Sequence, residues 1–424
     1  MATTLILSTA DQAMLNGDHG GAAQMAMRLI VQLAAILDAT QLIDVTCAHI
    51  DSCLYHGPVG VDFADRIVLL GGLVKIQSSL NVSSLDLLHP GNYIGDSETA
   101  TQARRLMDAY VALGCRPTWT CAPYQLSQRP SFGEQIAWAE SNAIVFANSV
   151  LGARTNRYGD FIDICAAITG RVPDAGLHQT AARRGQVLFQ PVGIPERLLH
   201  EDIFYAIFGH IIGAQTGNFI PVIDGLPPTV TEDQLKALGA GAASSGAVAL
   251  FHAVGITPEA PTLAAALQGG DPLRVVNITS PMILATRDEL CTSTDRKLAG
   301  VSLGTPHFSL AEFAQLIQVL EGIKVDPAVD FWISTGRDVL AAVKARGWDV
   351  PLRAAGVKVV VDTCTYITAI LRNKPGVMMT NSSKWAHYAP GNVGARVVFG
   401  SMWECVRSAE RGEVWRDESL WRGL

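Results

Sequence analysis

The sequence predicts a layered α/β fold with largely parallel sheets. Segments with helical apolar spacing alternate with short apolar runs along all 424 residues, and this order favours parallel strands joined by helices. Apolar residues make up 49% of the chain and charged residues only 17%. Such a composition indicates a large body with a high buried fraction, or a chain that hides part of its surface against a partner.

The length suggests two or three folding units, at roughly 150 residues per domain. Glycine and proline gather at three places, residues 184–195, 224–228 and 269–272. None of these stretches is long enough to be a flexible linker. We therefore treat residues 1–424 as one unit whose lobes could meet at these three seams.

In the N-terminal half, apolar residues spaced as on one face of a helix predict helices over 14–36, 106–113 and 134–146. Short apolar runs bounded by polar or glycine residues predict buried strands over 42–45 and 67–70.

In the C-terminal half, Thr231 opens a predicted helix with Glu232 and Asp233 in its first turn, where acidic groups favour the helix dipole. Residues 310–320 and 409–411 belong to further helices. Short apolar runs predict the strands of this half, which are 187–189, 219–223, 275–278, 331–334, 357–361, 377–380 and 396–399.

The charge pattern argues against nucleic acid and membrane partners. The net charge is -7 and there is no long basic run that could follow a phosphate backbone. Residues 237–258 lack acidic and basic side chains, but their many glycines and alanines favour a helix packed closely inside a soluble protein over a membrane span. No signal peptide is evident at the N-terminus, so we expect a cytoplasmic protein.

The cysteines of such a protein are expected to be reduced thiols. No pair has the close spacing of a structural zinc site, so any metal cluster must be assembled from distant parts of the chain. The eight are Cys47, Cys53, Cys115, Cys121, Cys165, Cys291, Cys364 and Cys405.

Four polar turns follow predicted strands, at residues 46–51, 334–338, 362–365 and 380–384. Ligands of α/β sheets collect at such strand ends, although Ser, Thr, Asn and Asp also simply cap helices. His49 and Asp51 in the first turn could act as acid and base, or could fix each other by a hydrogen bond. Lys384 in the last could neutralise a substrate carboxylate or act as a base, unless it is an ordinary surface lysine.

Many polar residues surround an apolar segment in the middle of the chain. Ser141, Asn142, Arg154 and Arg157 are among them. They form either an internal hydrogen-bond network or a cavity for a carboxylate, with an arginine as its bidentate anchor.

At these residues the sequence closely resembles the aconitase X family. The resemblance is carried by TCAPY at 120–124, GE at 133–134, ESNA at 140–143, NS at 148–149 and GARTN at 152–156. Further matches follow in the same order over nearly the whole chain, at 14–17 with Gly20 and Gly21, 48–51, 79–81, 169–173 with Gly176 and His178, 306–309, 362–364 and 381–384.

The resemblance implies an aconitase-like, multi-lobed body and a hydro-lyase that uses an iron–sulfur cluster as its Lewis acid. Two reactions are associated with the family, dehydration of cis-3-hydroxy-L-proline to pyrroline-2-carboxylate and dehydration of phosphomevalonate. A phosphate should require extra cationic contacts, and since no extra basic cluster is evident, we expect hydroxyproline. The chain ends at Leu424 without a small swivelling domain, so it is similar to a large subunit that pairs with a separate small subunit.

The expected cluster ligands are also implied by the resemblance. Cys364 and Cys405 lie in motifs that we associate with ligands, although Cys405 could equally be a buried helix cysteine. Thr305 stands directly before Pro306-His307, where some relatives carry cysteine. Either Cys121 is the third ligand or the cluster is smaller, so its type stays open between [2Fe–2S] and larger.

The resemblance further implies roles in catalysis and substrate binding. Lys384 or His49 is the expected base, and a cysteine hydrolase using Cys121 with His49 or His178 and a non-catalytic binding subunit are the rival interpretations. The catalytic candidates are Lys384, His49, Asp51 and Ser383; the substrate-binding candidates are Ser141, Asn142, Arg154, Arg157, Asn81 and Asn381.

Overall fold

The computed structural model describes residues 5–372, 374 and 376–423. They form two compact units. Unit 1 comprises the described residues up to Leu85 together with Asp96–Arg184, and unit 2 comprises Asp86–Gly95 together with the described residues from Gly185 onward. The seams predicted from glycine and proline content stay predictions.

Unit 1 begins with a short helix whose capping box is formed by Ser8 and Asp11. Its helices are α1 (Thr9–Asn16), α2 (Gly21–Ile36), α3 (Pro58–Leu69), α4 (Ser97–Ala112), α5 (Ser141–Phe146) and α6 (Ile162–Thr169), and its strands are β1 (Leu42–Asp44), β2 (Cys47–Ile50), β3 (Gln77–Leu80), β4 (Ala137–Trp138) and β5 (Arg171–Pro173).

The strands of unit 1 form two small sheets. The larger has the order β3-β2-β4, and both of its strand pairs are parallel. His49 pairs with Ser79 on one side and with Trp138 on the other. The smaller sheet joins β1 and β5 as an antiparallel pair.

Three predictions for unit 1 differ from the structure. The predicted helix 14–36 is two helices, because Gly17 adopts a left-handed conformation with a φ of 97° that ends α1. The predicted strand 67–70 is the end of α3. The predicted helix 134–146 contains β4 and only then α5, because Glu140 interrupts it with a φ of 71°.

Unit 2 is built on two wholly parallel sheets. Its helices are α7 (Glu196–Leu199), α8 (Asp202–Thr216), α9 (Glu232–Ser245), α10 (Leu263–Ala266), α11 (Ser280–Glu289), α12 (Leu310–Val319), α13 (Arg337–Ala345), α14 (Asp349–Ala355), α15 (Ser383–Val393), α16 (Met402–Arg411) and α17 (Glu418–Trp421); its strands are β6 (Val187–Pro191), β7 (Pro221–Ile223), β8 (His252–Ala253), β9 (Arg274–Ile278), β10 (Leu298–Phe308), β11 (Asp330–Thr335), β12 (Val357–Val360), β13 (Val377–Thr380) and β14 (Val397–Phe399).

The five-stranded sheet of unit 2 has the order β12-β11-β10-β13-β14, and the four-stranded sheet has the order β8-β7-β6-β9. Every pair in both sheets is parallel. The central strand β10 is buried along its whole length, as expected of a strand covered on both faces. The predicted α/β class with largely parallel sheets is therefore confirmed.

The stretch 237–258 is only partly helical, since α9 ends at Ser245. Within it, α9 packs against α8 so closely that a Cβ atom on Gly241 would lie 2.8 Å from the carbonyl oxygen of Ala206. This is the tight glycine-faced packing that the composition predicted. Among the described residues, no helix has both the length and the apolar character that a membrane span requires.

Candidate functional site

The three parallel strands β2, β3 and β4 of unit 1 end side by side. Three polar residues follow these strands in the sequence, and they are Asp51, Asn81 and Glu140. The chain stays paired at the strand ends, since the backbone N–H of Asn81 donates to the carbonyl oxygen of Ile50 and that of Ala139 to the carbonyl oxygen of His49, both at 2.9 Å. The side-chain amide of Asn81 donates a hydrogen bond to the carboxylate of Asp51. Two of these polar residues, Asp51 and Asn81, are therefore in direct contact at the carboxyl edge of the sheet, where ligands of parallel sheets bind.

The pKa of Asp51 is raised to about 7. Burial is the largest cause, followed by repulsion from Glu140 and Asp160, while the hydrogen bond from Asn81 opposes the rise. A carboxyl group whose pKa lies near neutrality can both accept and donate a proton under physiological conditions. The expected role of Asp51 as an acid or base stays a prediction.

The polar cluster at the start of α5 forms an internal network. The carboxylate of Glu140 caps the helix by accepting from the backbone of Ala143 at 2.8 Å, and the amide of Asn142 donates to it and to the carbonyl oxygen of Cys121 at 2.9 Å. Tyr124 donates its hydroxyl proton to Asn142 at 2.7 Å. The network holds the backbone of Cys121 in place, and Ser141, 3.5 Å from Glu140, lies at its edge.

His49 is fully buried on β2, and its Nδ1 lies 2.8 Å from the hydroxyl of Ser79. Burial lowers the pKa of His49 to about 3, although interactions with Asn81 and the Thr120 backbone oppose this. The imidazole is therefore neutral at physiological pH and a weak base. This does not favour the expected role of His49 as the proton acceptor.

The arginines of the GARTN segment differ in exposure. Arg154 is half-buried and donates to the carbonyl oxygen of His178 at 3.0 Å, whereas Arg157 is exposed. His178 has both ring nitrogens paired, Nδ1 with Gln135 and Nε2 with Tyr158, each at 2.6 Å. A histidine with two such partners is not available to activate a cysteine, which weakens the cysteine-hydrolase interpretation.

A separate cleft of unit 1, with about 690 Å³ of empty space, lies at the amino ends of β2 and β3. Its lining includes Arg116 and Arg129 opposite a single carboxylate, Glu134. Glu134 is engaged by the hydroxyl of Thr46 and by the backbone of Ser131. The cleft is therefore cationic, a feature that the sequence did not reveal because its arginines are far from the strand-exit motifs.

In unit 2, His307 and Cys364 have ligand atoms within 4.8 Å of each other. Both are buried, and the Nε2 of His307 lies 3.3 Å from the carbonyl oxygen of Thr363, to which it can donate. Burial lowers the pKa of His307 to about 4, so the ring is neutral, as a metal ligand must be. The pair could bind one metal centre. The sequence pointed to His307 only through its Pro-His motif.

The turn after β13 carries three candidate residues, Asn381, Ser383 and Lys384. Ser382 caps α15 by accepting from the backbone of Trp385 at 3.0 Å, and it donates to the carbonyl oxygen of Thr305. Lys384 is only 4% exposed. It is therefore not an ordinary surface lysine.

A small cavity lies beside this turn, with about 330 Å³ of empty space when the adjoining open solvent is included, and it is lined by Thr305, Asn381 and Ser383. The hydroxyls of Thr305 and Ser383 are buried and have no hydrogen-bond partner among the described residues. Buried hydroxyls normally have partners, so the two groups mark a place where water or a ligand could bind.

Lys236 on α9 lines the same cavity and forms ion pairs with Glu312 and with Asp233, the latter at 2.8 Å. It also lies 3.5 Å from the carbonyl oxygen of His307. Burial raises the pKa of Glu312 to about 7, against the opposing charge of Lys236. This network was missed from the sequence, and the signal for it is that Lys236 directly precedes the uncharged stretch 237–258.

Cys405 lies on α16, within the hydrophobic core of unit 2. Its sulfur is 3.9 Å from the carbonyl oxygen of Gly400, and burial raises the pKa of its thiol. Among the described residues, Cys405 does not belong to the closely spaced ligand atoms that include His307 and Cys364. This position differs from the expected role as a cluster ligand and agrees with the alternative of a buried helix cysteine.

Comparison with known proteins places the chain in one family. Residues 4–181, 185–288 and 298–411 match the models of the first, second and third domains of aconitase X, respectively. The chain is 42% identical over 409 residues to cis-3-hydroxy-L-proline dehydratase of Pseudomonas aeruginosa, which covers 96% of this chain and 70% of that protein.

Two archaeal proteins extend the comparison. The phosphomevalonate dehydratase large subunit of Methanothermobacter thermautotrophicus is 34% identical, over 95% of this chain and 98% of its own length. The crystal structure of Thermococcus kodakaraensis aconitase X in its holo-form matches with a TM-score of 0.85 at 29% identity, and covers 96% of this chain and all of that one. The chain therefore belongs to the aconitase X family.

Proposed function

We propose that this chain carries the catalytic residues of a hydro-lyase that dehydrates cis-3-hydroxy-L-proline to pyrroline-2-carboxylate. The observation that carries the proposal is the 42% identity to the Pseudomonas aeruginosa enzyme of that name, which extends over 96% of the chain. A second dehydratase of the same name, from Hypocrea jecorina, is 38% identical over a similar length.

Dehydration of a hydroxy acid requires removal of a proton next to the carboxylate, loss of hydroxide and a cation or donor that holds the carboxylate. Asp51 is suited to proton transfer because its pKa lies near 7. Lys384, which is buried, supplies a positive charge for the carboxylate or takes the proton. The Ser383 hydroxyl, which has no partner among the described residues, is a further candidate donor.

Substrate binding rests on residues proposed from the family resemblance. Asn81 is the best supported of them, since its amide already contacts Asp51. Asn142 and Arg154 already donate hydrogen bonds to backbone carbonyl oxygens. Each side chain would therefore have to contact substrate while it keeps these bonds. The proposed substrate-binding residues are Ser141, Asn142, Arg154, Arg157, Asn81 and Asn381.

The proposed cofactor is an iron–sulfur cluster, either [2Fe–2S] or larger. The buried pair of His307 and Cys364 fits such a group, because thiolates hold most clusters and histidine replaces cysteine in some. Cys121 stays the predicted third ligand, on the resemblance alone. When bound, the cluster would supply a Lewis acid for the departing hydroxide.

We also propose a separate small subunit as partner. The archaeal relative that this chain covers to 98% is named a large subunit. In a dehydratase, a closing partner would exclude water and complete the arrangement of active-site groups.

Phosphomevalonate dehydration is the second candidate function. It is supported by the 34% identity to the archaeal large subunit and by the cationic cleft with Arg116 and Arg129, since arginine pairs bind phosphate well. The cleft lies at the amino ends of β2 and β3, whereas Asp51 follows the carboxyl end of β2. A phosphate bound in the cleft would lie away from Asp51, so the cleft gives phosphomevalonate only weak support as the substrate.

The test is a dehydration assay on the chain co-expressed with its small subunit under anaerobic conditions. We expect turnover of cis-3-hydroxy-L-proline, measured as formation of pyrroline-2-carboxylate. For phosphomevalonate we expect kcat/KM to be lower by about 100-fold or more, because the wrong substrate leaves polar groups of the site without hydrogen-bond partners. An ultraviolet–visible spectrum of the same sample should show sulfide-to-iron charge-transfer bands. An active, colourless and iron-free protein would refute the cluster, and preferential turnover of phosphomevalonate would reverse the choice of substrate.

A further inference from the structure

We propose that the cationic cleft of unit 1 binds a small organic carboxylate whose body is compact and apolar. The proposal goes beyond the proposed function, because the cleft lies at the amino ends of β2 and β3, away from Asp51. Its empty space is about 690 Å³ when the adjoining open solvent is included, which is within the usual range of small-molecule pockets. All of its lining residues belong to unit 1.

Two arginines supply the positive charge of the cleft. The Nη1 of Arg116 donates to the neutral amide oxygen of Gln128 at 3.2 Å. A guanidinium group has five N–H donors, so Arg116 can hold an anion and still keep this hydrogen bond. The guanidinium carbon of Arg129 lies 5.9 Å from the centre of the Phe146 ring. Such a contact engages the face of the guanidinium group, whereas its N–H donors lie in its plane.

The backbone of Arg116 is fixed on the edge of β3. Its N–H donates to the carbonyl oxygen of Ser78 at 2.8 Å, and its own carbonyl oxygen accepts from the N–H of Leu80 at 3.2 Å. The side chain of Arg116 is exposed, but it therefore starts from a rigid strand. A donor that is held in place before the ligand arrives loses less conformational entropy on binding.

Glu134, the one carboxylate that lines the described part of the cleft, already has hydrogen-bond partners. Its Oε1 accepts from the hydroxyl of Thr46, and its Oε2 accepts from the backbone N–H of Ser131 at 2.7 Å. Two guanidinium groups and one carboxylate leave the lining with an excess of one positive charge. This balance suits a monoanion, such as a carboxylate, better than a dianion, such as a phosphate ester.

Much of the remaining wall is apolar, which favours a ligand with an apolar body. The side chains of this wall are Pro123, Leu126, Pro130 and Trp138. The thiol of Cys47 also lines the cleft, and burial raises its pKa to about 11, so it is neutral at physiological pH. A neutral thiol is a poor nucleophile. The cleft therefore has the properties of a binding site and not of a site of covalent chemistry.

Calorimetric titration of the purified chain with matched probes tests the class of ligand. Benzoate has a carboxylate and an apolar ring, acetate has the carboxylate alone, and benzyl alcohol has the ring without the charge. We expect benzoate to bind about tenfold more tightly than either of the others, because the arginines and the apolar wall both contribute. Affinity for acetate or benzyl alcohol equal to that for benzoate, or no binding of benzoate, would overturn the proposal. Tighter binding of phenyl phosphate than of benzoate would overturn the choice of a carboxylate.

Two matched variants test the location of the site. Arg116→Gln removes a guanidinium group that lines the cleft, whereas Arg104→Gln removes one on α4 that is 56% exposed and pairs with Asp108. We expect Arg116→Gln to weaken benzoate binding by about tenfold, as loss of a charged hydrogen bond does, and Arg104→Gln to leave it unchanged. Arg129→Gln is a second variant of the cleft with the same expected effect.

Wild-type affinity for benzoate in both cleft variants would show that the anion binds elsewhere, and the proposal would then be wrong. Circular dichroism of each variant verifies that the fold is retained, as expected for a substitution at an exposed side chain. The titrations require no turnover. Their result therefore decides the proposal even if the chain does not dehydrate hydroxyproline.

Discussion

The guanidinium group of Arg337 holds the carboxylate of Asp362 by two parallel hydrogen bonds, at 2.6 and 2.7 Å. Arg337 begins α13 after β11, whereas Asp362 follows β12 with a left-handed φ of 65°. The same carboxylate accepts from the backbone of Leu87 at 3.0 Å. Asp362 is therefore a structural anchor for the turn that carries Cys364, and not a free acid.

Replacing Arg337 with alanine should destabilise unit 2. It leaves the fully buried carboxylate of Asp362 without its counter-ion, and breaking a buried pair in this way costs about 3 kcal/mol. Urea denaturation measures the loss. Arg353→Ala, which removes an exposed partner of Asp349, is the matched control and should have a much smaller effect. Equal effects of the two substitutions would mean that the buried pair contributes no more than a surface pair.

Much of unit 2 could be predicted from the sequence because its strands are rich in apolar residues. The mostly apolar runs at 357–361 and 377–380 coincide with β12 and β13 within one residue. The polar turns that follow them were visible for the same reason. Lys384 stood out because it follows such a strand directly, and its burial agrees with that interpretation.

Other features depend on contacts that no local pattern contains. Glu140 breaks a helical pattern through its positive φ, which its buried hydrogen bonds to Asn142 and Ala143 maintain. Whether Cys405 is a ligand or a core residue depends on which face of α16 meets the sheet. The pairing of Lys236 with Glu312 joins residues 76 positions apart. Tertiary packing decides all three, so sequence reasoning left them open or missed them.

Asp51→Asn should abolish turnover and stabilise the fold. The amide keeps the shape of the carboxyl group but cannot transfer a proton, so we expect kcat to fall by a factor of about 10² or more. The raised pKa means that folded Asp51 binds a proton more tightly than in the unfolded chain, so wild-type stability falls as the pH rises from about 4 to about 7. An asparagine at this position does not ionise, so the variant does not lose stability over this pH range.

Urea denaturation at a series of pH values measures this gain in stability. We expect Asp51→Asn to exceed wild type by about 4 kcal/mol at pH 8 and to equal it near pH 4, since the pKa rises from 3.8 to about 7 and each pKa unit corresponds to about 1.4 kcal/mol. Asp108→Asn, at an exposed site on α4, is the control and should show no such trend. A constant difference across the pH range would contradict the raised pKa.

Lys384→Met should lose activity without losing iron. Methionine retains most of the length of the buried side chain but removes the charge, and loss of an acid–base or carboxylate-binding group lowers kcat by roughly 10²–10⁴-fold. Iron content and kcat are measured on the same sample. Lys324→Met, at an exposed position of unit 2, should behave as wild type. Near-normal kcat for Lys384→Met would show that the buried ammonium group has no part in the reaction.

Cys364→Ser and Cys405→Ser should differ in their effect on the amount of bound iron. Cys364 lies beside the neutral imidazole of His307, so its replacement should lower bound iron by more than half while the fold survives. Cys405 lies in the hydrophobic core, so its serine variant should keep its iron and lose about 1–2 kcal/mol of stability through a buried hydroxyl. Iron analysis and urea denaturation of both variants decide the matter. Iron loss from Cys405→Ser equal to that from Cys364→Ser would make Cys405 a ligand after all.

The last prediction is that this chain is inactive until it binds a small subunit. The Methanothermobacter relative is named a large subunit and is matched over 98% of its length, whereas the Pseudomonas dehydratase is matched over only 70% of its length. The low charged fraction of 17% is consistent with an apolar docking face. A stable heterodimer would bury at least about 1,600 Å² in total.

Co-expression with the small subunit, size exclusion and the dehydration assay form the test. We expect a complex of both chains, and kcat at least about 100-fold higher than for the large chain alone, because a closing partner completes the active site. Equal rates for the large chain alone and for the complex would show that the partner is not needed for the reaction.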